Sequence, residues 1–184
     1  NNFQLVRKIQ LNSAYGAIGN QYFRYFNVDM AEAITTSGQL SIRWVADELN
    51  KFLNETVGTD NYDYIVASDT DSVYVRLGKL VDRFLPDCDD TKKIVDFLDS
   101  SSEKIIQPLI DKKYDELAKM MNAYENKMHM GREVIAERGI WTAKKRYALN
   151  VWDSEGVRYK KPKLKIMGIE TTRSSTPQVV RQWL

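Results

Sequence analysis

The chain has 184 residues, 43% of them apolar and 11% aromatic, with 27 Lys and Arg against 25 Asp and Glu and a formal net charge of +2. With only 9 Gly and 4 Pro, this is the composition of about one packed domain and excludes a collagen-like or disordered chain. Its one cysteine, Cys88, excludes an internal disulfide, and no apolar run approaches the roughly 18 residues of a membrane span, so an intracellular, cytoplasmic chain without membrane contact or secretory leader is expected.

Residues 3–20 are compatible with one helix, and a second helical pattern over residues 30–56 places Ile42, Val45, Leu49, Phe52 and Leu53 on one stripe. Asp29 is its predicted cap, and Gly58 lies just past its last apolar turn, where a left-handed C-terminal cap is usual. Short β-prone runs at 64–67 and 73–75 flank Asp69-Thr70-Asp71 and read as a hairpin with carboxylates at its bend. A helical region follows over about 89–124, restarted at Ser100-Ser101-Ser102-Glu103 and kinked or reopened at Pro108. Beyond His129 the pattern becomes extended, at 132–136, at 147–152 before a turn at Ser154-Glu155-Gly156, and at 164–170. Thr176-Pro177 reads as the cap and first position of another helix. Helices grouped with mostly antiparallel strands predict an α+β fold. The start at Asn1 and the helical pattern running to Leu184 lead to the expectation of a fragment.

Charge is distributed unevenly. Residues 60–116 hold 14 acids against 8 bases, whereas residues 141–173 hold 9 bases against 3 acids. The basic block has the footprint of a surface that tracks a polyanion, and equally that of a solvated lysine-rich face.

Lys8, Asn12, Tyr15, Gly16 and Gly19 recur at helical spacing and share one face. A cation, an amide, an aromatic plate and two glycines suit a base-bearing triphosphate, although a plain polar face fits them too. Asp69 and Asp71 repel each other unless a divalent cation intervenes; hard Mg²⁺ binds a few carboxylates together with phosphate oxygens, but Asp is also a common turn former. Glu133 is a third acid, predicted on a strand. Lys144-Lys145-Arg146-Tyr147 places three cations before an aromatic, on a predicted strand or in a basic turn. His129, the only histidine, is read as structural, and Cys88 in its acidic surroundings is no candidate nucleophile.

Taken in order, these segments resemble family B DNA polymerases. Lys8-Ile9-Gln10-Leu11-Asn12-Ser13-Ala14-Tyr15-Gly16 is similar to the fingers helix of that family, and Ser68-Asp69-Thr70-Asp71-Ser72 to its Asp-Thr-Asp-Ser hairpin. Trp141-Thr142-Ala143-Lys144-Lys145-Arg146-Tyr147 resembles its Lys-Lys-Arg-Tyr primer-binding segment. Residues 164–171 with Ser174-Ser175-Thr176-Pro177 are similar to the replicative polymerases of T-even-type bacteriophages. Two positions depart from the pattern: Ser68 stands where the family usually has Gly, and Gly131 where an Asp is expected two residues before Glu133.

The resemblance implies the end of the fingers over residues 1–20, a palm over 21–175 and the start of a thumb over 176–184. It assigns Lys8 and Asn12 to the incoming nucleotide, with Thr70 beside it, and Tyr15 and Gly16 to the nascent base pair. Asp71, with Asp69 and Glu133, is implied at a site for two Mg²⁺ ions, or Mn²⁺ in their place, with Asp71, Asp69 and Lys8 carrying the chemistry. Lys144, Lys145, Arg146 and Tyr147 are assigned to the primer end and the duplex. The implied partners are primer-template DNA, dNTPs, and a sliding clamp and replisome proteins engaged through other regions, in a host cytoplasm if the origin is a phage. The family's upstream motif A Asp is absent from these residues, so the fragment is expected not to polymerise by itself. The rival expectation is a non-catalytic nucleic-acid-binding module; a protein-primed polymerase of the same family is a weaker alternative.

Overall fold

The computed structural model describes residues 2–173 and 175–183. Asn1, Ser174 and Leu184, which fall in the expected fingers segment, in the phage-like match and in the expected thumb, lie outside the described residues. The architecture is α+β, as expected, with helices and two separate antiparallel sheets.

Helix α1 (Asn2–Ile18) leads to the long helix α2 (Val28–Val57). The cap of α2 is Asn27 rather than Asp29: its side chain accepts a hydrogen bond from the Met30 N–H at 2.9 Å, and the helix therefore begins two residues earlier than predicted. Gly58 closes α2 at φ 72°, the left-handed cap its position foretold. Ser41, Val45, Leu49, Leu53 and Val57 recur every fourth residue and are buried, while Ile42 and Phe52 are half-buried beside them.

That stripe organises the core. Val45 and Leu49 pack on Ile110, Tyr114 and Leu117 of α5 (Gln107–Met120), and Leu53 and Val57 on Tyr64 and on Leu80 of α3 (Gly78–Phe84). Burying each such side chain is worth about 1.5–3 kcal/mol. The Trp44 indole N–H donates to the Lys113 carbonyl at 3.0 Å and fixes α5 across α2. The predicted helical region after residue 89 is divided into α4 (Thr91–Ser101), a π turn (Ser102–Ile106) and α5. In the π turn the Gln107 N–H reaches the Ser102 carbonyl five residues back, and Pro108, which needs no N–H partner in a first turn, opens α5.

Strands β1 (Ile65–Asp69) and β2 (Ser72–Val75) form the predicted hairpin, with Ile65 and Val75 against the helical core. The second sheet has the order β3 (Val134–Ala143), β4 (Arg146–Ser154), β5 (Val157–Met167). Helix α6 (Gln178–Trp183) follows one position later than predicted, because the Arg181 N–H bonds the Pro177 carbonyl and puts Pro177, not Thr176, at the cap.

An ionic cluster ties α4 to the second sheet. Asp153 on β4 is 1% exposed, and both Arg132 and Arg158 hydrogen-bond it. Arg132 also reaches Asp99 at 2.6 Å, and Arg158 reaches Asp96 at 2.6 Å and Asp99 at 3.3 Å.

Candidate active site

Two asparagines of α2 position the chain that enters the hairpin. The Asn54 side chain accepts from the Tyr62 N–H at 2.9 Å and donates to the Tyr62 carbonyl at 2.8 Å, and also accepts from the Thr59 hydroxyl. One turn earlier, Asn50 accepts from the Tyr64 N–H at 2.8 Å and donates to Asp63 at 3.0 Å. Neither stood out in the sequence, where each is one more polar position on an amphipathic helix; their spacing of one turn is the signal that could have found them.

At the hairpin, Asp69 pairs with Ser72 across a two-residue bend. Thr70 adopts φ 51°, a left-handed conformation that a β-branched residue rarely takes. Its hydroxyl donates to Asp69 Oδ1 at 3.1 Å, and the Asp71 N–H donates to the Asp69 carbonyl at 2.6 Å. Ser68 pairs with Val73 in the regular ladder and has no left-handed φ, so its backbone does not require glycine. Asp71 is exposed, and among the described residues no side chain pairs with its carboxylate.

The basic segment divides differently from prediction. Lys144 and Lys145 form the tight turn between β3 and β4, with Lys145 at φ 62°; only Arg146 and Tyr147 belong to a strand. Lys144 and Lys145 are exposed, whereas Arg146 is committed to an ion pair with Glu170. Gly168, at φ 67°, passes so close to this turn that a Cβ there would overlap the Lys145 carbonyl oxygen.

The two hairpins face each other. Tyr74 of β2 lies 5.3 Å from Trp141 of β3 and 5.4 Å from Tyr147 of β4, ring centre to ring centre. Lys145 Nζ stands 3.9 Å from Asp69 Oδ1. The aromatic trio and this ion pair connect the two sheets. Between them opens a cleft of about 310 Å³ lined by Ala67, Ser68, Asp69, Tyr74, Trp141 to Lys145 and Tyr147. Burial above all, then the Tyr74 hydroxyl and the charges of Glu133 and Asp69, hold the Tyr147 phenol well above its ordinary range, so it is a neutral hydrogen-bond donor.

Glu133 precedes β3 instead of lying on it, and Lys165 of β5 takes its carboxylate at 2.6 Å. Among the described residues no group of three or more His, Cys, Asp or Glu side chains is placed to hold a metal ion. As a donor set, Asp69 and Asp71 are two hard carboxylates at one bend, which fits a cation that completes its shell with substrate phosphates. Lys8, Asn12, Tyr15 and Gly16 lie exposed on α1, and Gly19 falls just after its end. Helix α1 is joined to the start of α2 through the Asn27 N–H and the Ile18 carbonyl at 3.0 Å; among the described residues no hydrogen bond or ion pair brings it to the hairpin. His129 is exposed and lies 3.5 Å from Asp111.

The sequence profile described as DNA polymerase family B matches residues 1–184. The DNA-directed DNA polymerase of Escherichia phage RB69 is 45% identical over 190 residues, covering 98% of this chain and 21% of that protein. That of Enterobacteria phage T4 is 46% identical over 193 residues, covering 100% of this chain and 22% of its own length. The DNA polymerase delta catalytic subunit of Drosophila melanogaster is 31% identical over 75 residues, 41% of this chain and 7% of that protein. The chain thus spans about a fifth of the length of its phage relatives.

Proposed function

Given that this chain belongs to DNA polymerase family B, we propose that it carries the palm and the end of the fingers of a DNA-directed DNA polymerase, which adds dNTPs to a primer 3′-hydroxyl and releases pyrophosphate. The observation that carries the reading is the apposition of the Asp69–Asp71 hairpin and the Lys144–Lys145 turn across one cleft. It sets carboxylates beside a surface built for a polyanion.

Asp71, exposed and without a side-chain partner among the described residues, and Asp69 beside it would hold Mg²⁺ or Mn²⁺, with Glu133 as a further acid already paired with Lys165. Such ions, when bound, acidify the primer hydroxyl and neutralise the triphosphate and the leaving pyrophosphate. The rest falls to the chain. Lys144 and Lys145 bear on backbone phosphates, and Tyr147, kept neutral by burial, donates without adding charge. Lys8 and Asn12 of α1 take the incoming nucleotide, with Lys8 on its triphosphate, Tyr15 and Gly16 the nascent base pair, and Thr70 bears on the nucleotide beside the carboxylates. dNTPs and primer-template DNA are the substrates; a clamp and replisome proteins would attach through other parts of the protein. The 184 residues alone would not extend a primer.

The test is primer extension by the full-length protein with Mg²⁺ and dNTPs, comparing wild type with Asp71→Asn at matched primer-template occupancy. A loss of several orders of magnitude at unchanged affinity supports the reading. Binding without extension by either protein would favour a non-catalytic nucleic-acid-binding module.

A further inference from the structure

Trp141 is one of the two aromatic side chains of the second sheet that meet Tyr74 of the first. Trp141 reaches from β3 to Tyr74 of β2 at 5.3 Å, and across its own hairpin it pairs with Tyr147 at 6.3 Å. The indole owes its place to Gly139 two residues earlier on the same face of the strand. A Cβ at Gly139 would lie 2.6 Å from Trp141 Cη2, 2.7 Å from Cζ3 and 2.6 Å from Leu149 Cδ2. Gly139 thus leaves the floor on which the ring lies, a glycine and an aromatic in mutual support within a sheet.

The indole is also held at a cost. Trp141 Nε1 is buried and has no hydrogen-bond partner among the described residues. An unpaired buried donor is destabilising, and phenylalanine would keep an aromatic contact without it. A residue present for stability alone would be better as phenylalanine; the larger ring is needed for its reach. On either side of that reach stand the two parts of the proposed site, Asp69 and Asp71 beyond Tyr74, and Lys144 and Lys145 three and four residues beyond Trp141.

We propose that Trp141, lying over Gly139, is the positioning residue that sets the Asp69–Asp71 hairpin against the Lys144–Lys145 turn, and so fixes where the primer end meets the carboxylates. The proposal rests on the polymerase reading above. Trp141 touches no reacting atom; it acts through Tyr74 on one hairpin and through its own strand on the other.

The experiment compares wild type, Trp141→Phe, Trp141→Leu and Gly139→Ala in the full-length protein. It reads melting temperature, primer-template affinity, extension rate against Mg²⁺ concentration, and amide hydrogen exchange over residues 68–73 and 143–146. Trp141→Phe should melt at or above the wild-type temperature and bind DNA equally well, yet need more Mg²⁺ for half-maximal rate. Trp141→Leu and Gly139→Ala should extend primers at least about tenfold more slowly, since a misplacement near 1 Å is worth about 100-fold. All three should exchange faster at both hairpins, with α2 and α5 unchanged. Wild-type Mg²⁺ dependence and wild-type hairpin exchange in Trp141→Phe and Trp141→Leu would overturn the proposal, as would rates that fall only in step with the folded fraction. If wild type itself does not extend primers, the polymerase reading fails, and hairpin exchange alone decides whether Trp141 joins the sheets.

Discussion

Lys145 sits in the turn between β3 and β4 and Asp69 ends β1 of the other sheet, yet the lysine ammonium stands 3.9 Å from the aspartate carboxylate. The lysine is largely exposed, so the attraction itself is weak; surface pairs of this kind contribute about 0–1 kcal/mol. Its meaning is positional, since it puts a cation suited to a DNA backbone beside a carboxylate suited to a metal.

If Lys144 and Lys145 contact phosphates, replacing either by Ala weakens DNA binding uniformly across sequences and lowers the salt slope of log K by about 0.9. Arg146→Ala should leave that slope nearly unchanged and cost stability instead, because Arg146 is paired with Glu170. Binding isotherms at several salt concentrations separate the two results, and equal slopes for all variants would remove this turn from the DNA interface.

Asn54→Ala takes away both hydrogen bonds that bracket Tyr62. Two backbone groups then lose their partners, and urea unfolding should show a loss of about 2 kcal/mol. Asn54→Asp keeps the acceptor and should recover part of it. A loss below about 0.5 kcal/mol in Asn54→Ala would show that water replaces the bracket.

Asp153→Asn keeps the shape of the cluster and removes the charge between Arg132 and Arg158. Burial pushes the Asp153 pKa up, but hydrogen bonds from the two arginines outweigh it, and the carboxyl lies below its ordinary value of 3.8. The ionised group therefore contributes stability that is complete above the unfolded value and is lost as the pH falls through the folded one. The wild type should exceed Asp153→Asn by about 3–5 kcal/mol near neutrality, the scale of a broken buried pair. That lead, read from urea midpoints, should hold down to about pH 4 and narrow only below it. A lead that narrows on raising the pH would contradict the assignment.

Much of this arrangement was legible in the sequence. The α2 stripe and the Asp69–Asp71 hairpin both carry strong local signals, a fourfold apolar recurrence and carboxylates between β-branched runs. For Lys144–Lys145 the sequence left strand and turn undecided, because two lysines are no turn signal, and the left-handed φ at Lys145 is accepted within a tertiary setting that Gly168 helps to make. Residues 137–143 of β3 were missed because Glu137, Arg138 and Gly139 interrupt the alternation; the strand exists by pairing with β4. Helix α3 is seven residues long and has no side-chain cap, so nothing local marks it. At the start of α2, Asp29 and Asn27 are equally good caps by type, and the entering backbone chose Asn27.

Thr70→Gly should relieve the left-handed strain at the bend and raise stability by about 1 kcal/mol. The same change removes the hydroxyl on Asp69 and loosens the bend, so primer extension should fall while the melting temperature rises. Unchanged activity in a stabilised Thr70→Gly would show that the strain serves no purpose in the reaction.

Gly168 rests on the Lys145 carbonyl backbone to backbone. Such a contact has no rotamers to absorb movement, so a pull or rotation applied to the chain beyond β5 arrives at Lys145 almost undiminished. A displacement just beyond β5 is therefore passed through main chain to the basic turn, and through Lys145 to its ion-pair partner Asp69.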